Sequence, residues 1–285
     1  MNSLEVRKKT ITNIHESEFK FVIVSSGGGS NAIGSLLKVP GASNSILEAY
    51  IPYAKESLDF YLMKKPESYC SLDTTTRMAA RAYSAAKKID QKTNIEQLFG
   101  VAISATLSTN YEKKGSHRFH IAVQTRDFSQ SISCILNKGQ RTREEEEELV
   151  TEFVIALISD CCGFEFKYPK IKEDVEHIQI PAQKGWADLM SEKIKFVTSS
   201  NQQPKLIFPG AFNPMHDGHI AMSELANKEL SEEVFFEICI QNVDKPPLSY
   251  HQIKKTIDQF TDSKNWVLTK AGKFSDKAKL FPNST

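Results

Sequence analysis

An α/β chain of two layered units, the second incomplete, is the fold class that three observations predict. Short apolar runs at 19–24, 100–107, 117–125, 205–209 and 234–240 have strand length. They alternate with longer helix-forming segments. Twice a turn rich in glycine or proline joins such a run to a helix, at Ser25-Ser26-Gly27-Gly28-Gly29-Ser30-Asn31 and at Pro209-Gly210-Ala211-Phe212-Asn213-Pro214. At 285 residues the chain can bury two cores. Its 36 basic and 35 acidic residues give no global field for a nucleic-acid polymer or a membrane surface, so any anion binding has to come from local groups.

The elements of the first unit, assigned to 1–166, follow in order. The run 19–24 enters the glycine loop, and 32–37 reads as a helix that stops before Val39-Pro40-Gly41, because the residue ahead of a proline is pushed out of helical geometry. Residues 46–53 are extended around Pro52, and a short helix runs to about Met63. Residues 73–89 form a helix that Asp73 or Thr74 caps and that Met78-Ala79-Ala80-Arg81-Ala82 favours. The runs 100–107 and 117–125 read as a hairpin over the polar loop 110–116. His117 and His120, three apart on a strand, face opposite sides and do not act as a pair. The helix over 142–162 begins acidic and ends apolar, and Glu144 to Glu148 read as a solvated face at the positive end of its dipole.

Residues 167–204 have weak periodicity and read as a linker with one short helix around 186–196. The second unit, 205–285, places a strand at 205–209, a helix at 216–230, a strand at 234–240 and a helix at 250–260. The five cysteines are odd in number and form no C-x-x-C, so buried reduced thiols are expected. The N-terminus lacks an apolar leader and no stretch reaches about 18 apolar residues, which points to a cytoplasmic protein, with the nucleus the other compartment open to it.

The strongest chemical signal is His216-Asp217-Gly218-His219. The two imidazoles lie three residues apart at the opening of a helix, on one face beside unpaired first-turn N–H groups that carry the positive end of the dipole. An anion belongs there. Gly218 leaves no side chain in the way of a base or ribose, and Gly210 lets the turn backbone approach a ligand. A zinc site on these histidines is not expected, since metalloprotease pairs sit four apart with a glutamate between them, so no metal ligand is assigned to the protein.

With its lead-in, Gly210-Ala211-Phe212-Asn213-Pro214-Met215-His216-Asp217-Gly218-His219, this stretch resembles the H-x-G-H nucleotidylyltransferases, most closely the nicotinamide mononucleotide adenylyltransferase branch. The resemblance implies Rossmann-like three-layer α/β/α architecture, ATP as substrate with Mg²⁺ on its oxygens, and nicotinamide mononucleotide as the acceptor. His216 and His219 would contact the triphosphate, while Gly210, Ala211, Phe212, Asn213 and Gly218 would frame the bound nucleotides. Asn242-Val243-Asp244-Lys245 resembles a segment that lines the family's pocket; Lys245 is either a phosphate contact or a solvated loop lysine. The family continues past the equivalent of Thr285, so half of the transferase domain is expected to be missing, with turnover impaired.

Strand, then Ser25 to Gly29, then helix is also a phosphate-cradle pattern, or simply a tight turn. The order that follows it, Val39-Pro40-Gly41-Ala42-Ser43, then Tyr53-Ala54-Lys55, an Ala-rich helix and the 100–107 strand, resembles the nicotinamide-nucleotide amidase domain of the CinA family. That resemblance implies Ser25 as nucleophile, with Ser26, Gly27, Gly28 and Gly29 around a nucleotide. The family's lysine falls on Leu58, and its Ser-Cys-Thr run is Ser-Ser-Gly here, so a nucleotide pocket with hydrolysis lost or weakened is expected. The function expected of the whole is nucleotidyl transfer to a small nucleotide. The alternatives are a non-catalytic pyridine-nucleotide-binding module and cytidylyl transfer to a phosphorylated alcohol.

Overall fold

Strands that are apolar on both faces build the core of the first sheet. The computed structural model describes residues 3–165, 167–241, 246–260 and 264–285, and the chain divides into two units, Met1–Pro181 and Ala182–Thr285. The first runs α1 (Ser3–Glu16), β1 (Lys20–Gly27), α2 (Asn31–Leu37), α3 (Ala42–Ser45), β2 (Ile46–Tyr50), α4 (Lys55–Leu62), α5 (Leu72–Ile89), β3 (Leu98–Thr106), β4 (His117–Gln124), β5 (Phe128–Leu136), α6 (Arg143–Cys161) and β6 (Val175–Pro181). Its sheet is mixed, in the order β2-β1-β3-β4-β5-β6, with β2, β1 and β3 parallel and the rest antiparallel. Alternate residues sort to two cores. Phe21, Ile23, Val101, Ile103 and Ile121 pack under α1, α2 and α6, while Val22, Val24, Ala102 and Ala122 pack under α4 and α5. The unit is therefore three layers, as expected.

Gly100 is where the second of these layers comes closest to the sheet. A methyl group there would stand 2.1 Å from the backbone nitrogen of Tyr83 and 2.3 Å from the carbonyl oxygen of Ala79, both in α5. Only hydrogen fits, and the helix settles directly on β3.

Three expectations are corrected. The stretch 167–204 is no linker: β6 pairs with β5 in the first sheet, and α7 (Trp186–Met190) and β7 (Phe196–Thr198) belong to the second unit. The helix at 73–89 is capped by Ser71, whose Oγ accepts from the Thr74 N–H at 3.3 Å, and not by Asp73 or Thr74. The cysteines are unpaired, but only Cys134 and Cys162 are buried; the other three are half-buried.

The second unit continues with β8 (Leu206–Pro209), α8 (Asp217–Leu230), β9 (Val234–Cys239), α9 (Tyr250–Ile257), β10 (Asn265–Thr269) and α10 (Phe274–Leu280). Its sheet runs β7-β10-β9-β8, with β8, β9 and β10 parallel and β7 antiparallel at the edge. Phe196, Ile207, Phe235 and Val267 face Leu280 and Phe281 at the end of α10. The opposite face carries Phe208 and Phe236, on which Phe212 and Phe260 pack. No helix among the described residues is long and apolar enough to cross a membrane.

Gly100→Ala should cost on the order of 3 kcal/mol in urea denaturation, because backbone and not a movable side chain blocks the methyl. Gly34→Ala, on α2 with nothing within 4 Å, should instead gain about 0.5 kcal/mol of helix propensity. Equal midpoints for the two variants would contradict the α5–β3 approach.

Candidate functional site

In the second unit the turn from β8 to α8 brings the sequence-predicted histidines together. His216 caps α8 with extended backbone, and its ring stacks on that of His219 with centroids 3.7 Å apart and planes 23° from parallel. The His216 backbone N–H donates to His219 Nδ1 at 3.3 Å. With Nδ1 accepting, a neutral His219 carries its proton on Nε2. Burial, and then the neighbouring His216, hold the His219 pKa below its ordinary value, because two stacked imidazolium rings would repel. His216, Asp217 and Gly218 are exposed. The arrangement therefore offers an N–H donor, a second imidazole and the positive end of a 14-residue helix at one accessible point.

The turn itself is held from several sides. The Gly210 N–H donates to the Glu237 carbonyl at 3.0 Å, and a side chain at Gly210 would collide with the Phe212 ring at 2.4 Å. Phe212 has φ of +44° and is buried among Phe208, Phe236, Phe260 and the His219 ring. Gln259, just past α9, spans the turn: its Nε2 donates to the Phe212 carbonyl at 2.9 Å and its Oε1 accepts from the Met215 N–H at 2.8 Å. Nothing in the sequence signals Gln259, which lies more than forty positions from the turn residues it bonds. Ala211 and Asn213 are exposed. Lys245 lies outside the described residues. Among those described, no group of three or more His, Cys, Asp or Glu could hold a metal ion.

In the first unit the glycine loop differs from expectation. Its converging N–H groups are already taken: Gly29 and Asn31 donate to Glu147 Oε1 at 2.8 and 3.0 Å, and Gly28 donates to the Ala105 carbonyl at 3.0 Å. The anion of this cradle is a side chain of α6. Ser25 is fully buried, its Oγ donating to the Gly28 carbonyl at 3.3 Å, so it faces no cleft and does not suit the nucleophile's role. Ser26 and Gly27 do reach open space, and Gly28 lines the same small cleft.

The reading of Glu144 to Glu148 as a solvated face is also corrected. Glu146 is fully buried, accepting from the Ser108 N–H at 2.6 Å and pairing with His117 Nδ1 at 2.7 Å. Glu148 and Glu152 both bind Arg7 of α1. Only Glu144 and Glu145 are exposed, and Glu145 closes the capping box with Thr142. His120 hydrogen-bonds Ser133 through Nδ1 at 2.8 Å and has no part in the Glu146 pair, as its strand position implied; burial lowers its pKa to about 4.

Two adjoining clefts flank the loop. The larger, about 1010 Å³, is rimmed by Tyr53, Arg143 and the carboxylates Glu144, Glu145, Glu147 and Glu148. The smaller, about 300 Å³, collects Lys55, Lys113 and Arg143 around Ser26. Burial depresses the Lys113 pKa, and its ammonium donates to Thr106 Oγ1 and to the Leu107 carbonyl at 3.2 Å. Leu58, at the position of the amidase lysine, is buried against this cleft. No local pattern marks Lys113 or Arg143 in the sequence, since one sits in a hairpin loop and the other heads the acidic helix.

Residues 207–275 match the cytidylyltransferase-like family, a span that takes in the turn, α8, β9, α9 and β10. Solved structures with a similar fold include the competence/damage inducible protein CihA from Agrobacterium tumefaciens, at 16% identity and a TM-score of 0.40 over 56% of this chain and 91% of that one. A competence or damage-inducible protein from Enterobacter asburiae is 14% identical, with a TM-score of 0.45 over 57% and 99%. A competence-damaged protein (CinA) superfamily protein from Klebsiella pneumoniae is 12% identical, with a TM-score of 0.45 over 57% and 99%. No curated protein matches the chain. The similarity of 207–275 to the cytidylyltransferase-like family, on a turn built around two histidines, supports a nucleotidyl-transfer or nucleotide-binding role.

Glu146→Ala should lower unfolding free energy by about 3 kcal/mol, since it strands a buried imidazole and the half-buried Ser108 N–H. Glu144→Ala should leave it within about 0.5 kcal/mol. Thermal denaturation of the two variants checks this, and similar melting temperatures would restore the reading of a solvated acidic face.

Proposed function

We propose that the second unit binds a nucleoside triphosphate at the start of α8 and transfers a nucleotidyl group from it to a small phosphorylated acceptor, with ATP and nicotinamide mononucleotide as the first pair to test. The observation that carries this reading is the stacked His216–His219 pair at the mouth of α8, inside the segment similar to the cytidylyltransferase-like family. An acceptor phosphate oxygen would attack the α-phosphorus; the bond from that phosphorus to the bridging oxygen would break, and pyrophosphate would leave with the electron pair. Magnesium travels on the triphosphate as part of the substrate. The chain's own task is to position the phosphates and meet the charge that builds on their oxygens. The His219 Nε2–H and the amides of Asp217 and Gly218 at the start of α8 are the donors for it.

Calorimetric titration with MgATP and MgCTP, beside a pyrophosphate-release assay with nicotinamide mononucleotide, tests the proposal. Tighter binding of ATP with release is expected; tighter binding of CTP, with release only on a phosphorylated alcohol, would move the reading to cytidylyl transfer. Binding of neither triphosphate would end it. His219→Ala should slow transfer about a hundredfold while the melting temperature falls far less than for a core variant, because the ring is only half-buried at the turn.

Protons give an independent check. An anion beside His219 raises the pKa that burial and His216 have lowered from 6.5, so the complex binds more protons than the free protein. Triphosphate affinity should therefore rise as pH falls through the bound-state pKa, then level off below the free-state value, which lies under 6.5. Affinity that is flat with pH, or falls with acid, would mean that His219 does not face the phosphates.

The second reading, a pyridine-nucleotide-binding module, is favoured by the bipolar clefts of the first unit. A pyridine ribonucleotide carries a cationic ring and an anionic phosphate, which the acidic rim and the Lys55, Lys113 and Arg143 side could receive in turn. In this reading the phosphate goes to the cations, since Glu147 fills the glycine loop. Lys113→Ala should weaken nicotinamide mononucleotide binding about tenfold, the worth of one charge-assisted hydrogen bond. Unchanged affinity would discard it.

A further inference from the structure

Gln259 hydrogen-bonds neither histidine ring, yet both ends of its amide reach the turn that precedes them, while its Nε2 also donates to the Lys255 and Thr256 carbonyls of α9 at 3.3 Å. The donor end holds the Phe212 carbonyl and the acceptor end holds the Met215 N–H, so one planar group fixes two points three residues apart. Between β8 and α8 the main chain is otherwise tied at Gly210, through the Glu237 carbonyl, and at His216, where the helix begins. Phe212 adopts a positive φ, which a bulky residue keeps only when its surroundings impose it. The rings of Phe208, Phe236 and His219 supply part of those surroundings, and one short segment supplies the rest: Gln259 bonds the Phe212 carbonyl, and the adjacent Phe260 packs its ring 5.9 Å from that of Phe212. The Phe212 ring in turn lies edge-on to His219 at 5.1 Å.

We infer that Gln259 is a positioning residue of the α8 site, holding the turn so that the Ala211–Phe212 backbone and the stacked histidines stand ready for a nucleotide. The inference rests on the reading of this turn as a triphosphate site. A turn fixed in advance loses little freedom when the ligand arrives, and a turn released from Gln259 has to be ordered at that moment. The effect reaches the ligand through the backbone and the His219 ring, not by contact.

Gln259→Leu tests it, because leucine keeps much of the bulk but neither donates nor accepts. Triphosphate affinity should fall about tenfold, the equivalent of one lost hydrogen bond of preorganisation, with the melting temperature changed little. The titration of His219, followed by nuclear magnetic resonance of the imidazole, should move toward the ordinary histidine value as the ring leaves its stacked and sheltered place. Gln259→Asn keeps the amide but withdraws it by one methylene; it should shift both readouts in the same direction by less, and decides the matter if the leucine variant does not fold. Unchanged affinity and unchanged His219 titration in a folded Gln259→Leu protein would overturn the inference. So would a large fall in melting temperature with the His219 titration intact, which would leave Gln259 as packing alone. If the wild-type protein binds neither ATP nor CTP, the triphosphate reading fails by itself, and the His219 titration still reports whether Gln259 sets the turn.

Discussion

The carboxylate of Glu147 in the amides of the glycine loop is the contact around which the first unit is arranged. It sits in one turn of α6 whose neighbours each reach a different element: Glu146 to the β3–β4 loop and His117, Glu148 with Glu152 to α1, and Glu145 back to its own helix start. Successive residues of a helix point about 100° apart, so a run of like charges can serve several partners at once. Because the partners are amides, an imidazole and a guanidinium, the local repulsion of five glutamates is answered by donors from α1, the β1–α2 junction and β4. Helix α6 thereby locks three segments that are far apart in the chain.

The protein contains two strand-turn-helix junctions of the kind that bind anions, and they come to different ends. At Gly29 and Asn31 an internal carboxylate already occupies the converging N–H groups; a phosphate entering there would have to displace a bonded, half-buried glutamate. At His216 the helix start is exposed, and what flanks it is a pair of imidazoles, one with its pKa held below the ordinary histidine value by burial and by its neighbour. The residues of the junctions themselves do not decide this. What packs across them does: acidic α6 over the first, an aromatic cluster and an amide clamp behind the second.

That contrast also explains how much was legible in the sequence. Layer order, the β3–β4 hairpin, helix α5 and the H-x-G-H junction were readable, because each is written in local apolar periodicity or in turn residues. Helix α1 was not, since its inward stripe is Arg7, Thr10, Ile11, Ile14 and His15, a helical spacing in which three of five positions are polar. Strand β5 was hidden for a related reason: its buried positions include Ser129 and Ser131, so no alternation of apolar and polar residues marks it. The stretch 167–204 looked like a linker because β6 is a mostly exposed edge strand and β7 has only three residues.

Site residues divide along the same line. His216, His219, Gly210 and Phe212 are legible as candidates because their spacing is local, and the fold only has to bring the strand and helix into line. Glu147 and Gln259 act across 118 and 47 positions, and no window on the sequence contains both ends of such a contact; Lys113 bonds Thr106 and Leu107 only a few positions away, but nothing local says that its loop folds back on the cleft. The acidic run itself hints at such contacts. An unusually charged helix start beside a loop with unpaired amides supplies donors and acceptors in complementary numbers, and folding has to join them whenever the chain brings them within reach, since buried N–H groups left without a partner are costly. In the second unit the start of α8 is exposed at His216, Asp217 and Gly218, its His219 N–H folds back onto the His216 carbonyl at 2.9 Å, and under the proposed reading the amides ahead of it would find their acceptor in a ligand.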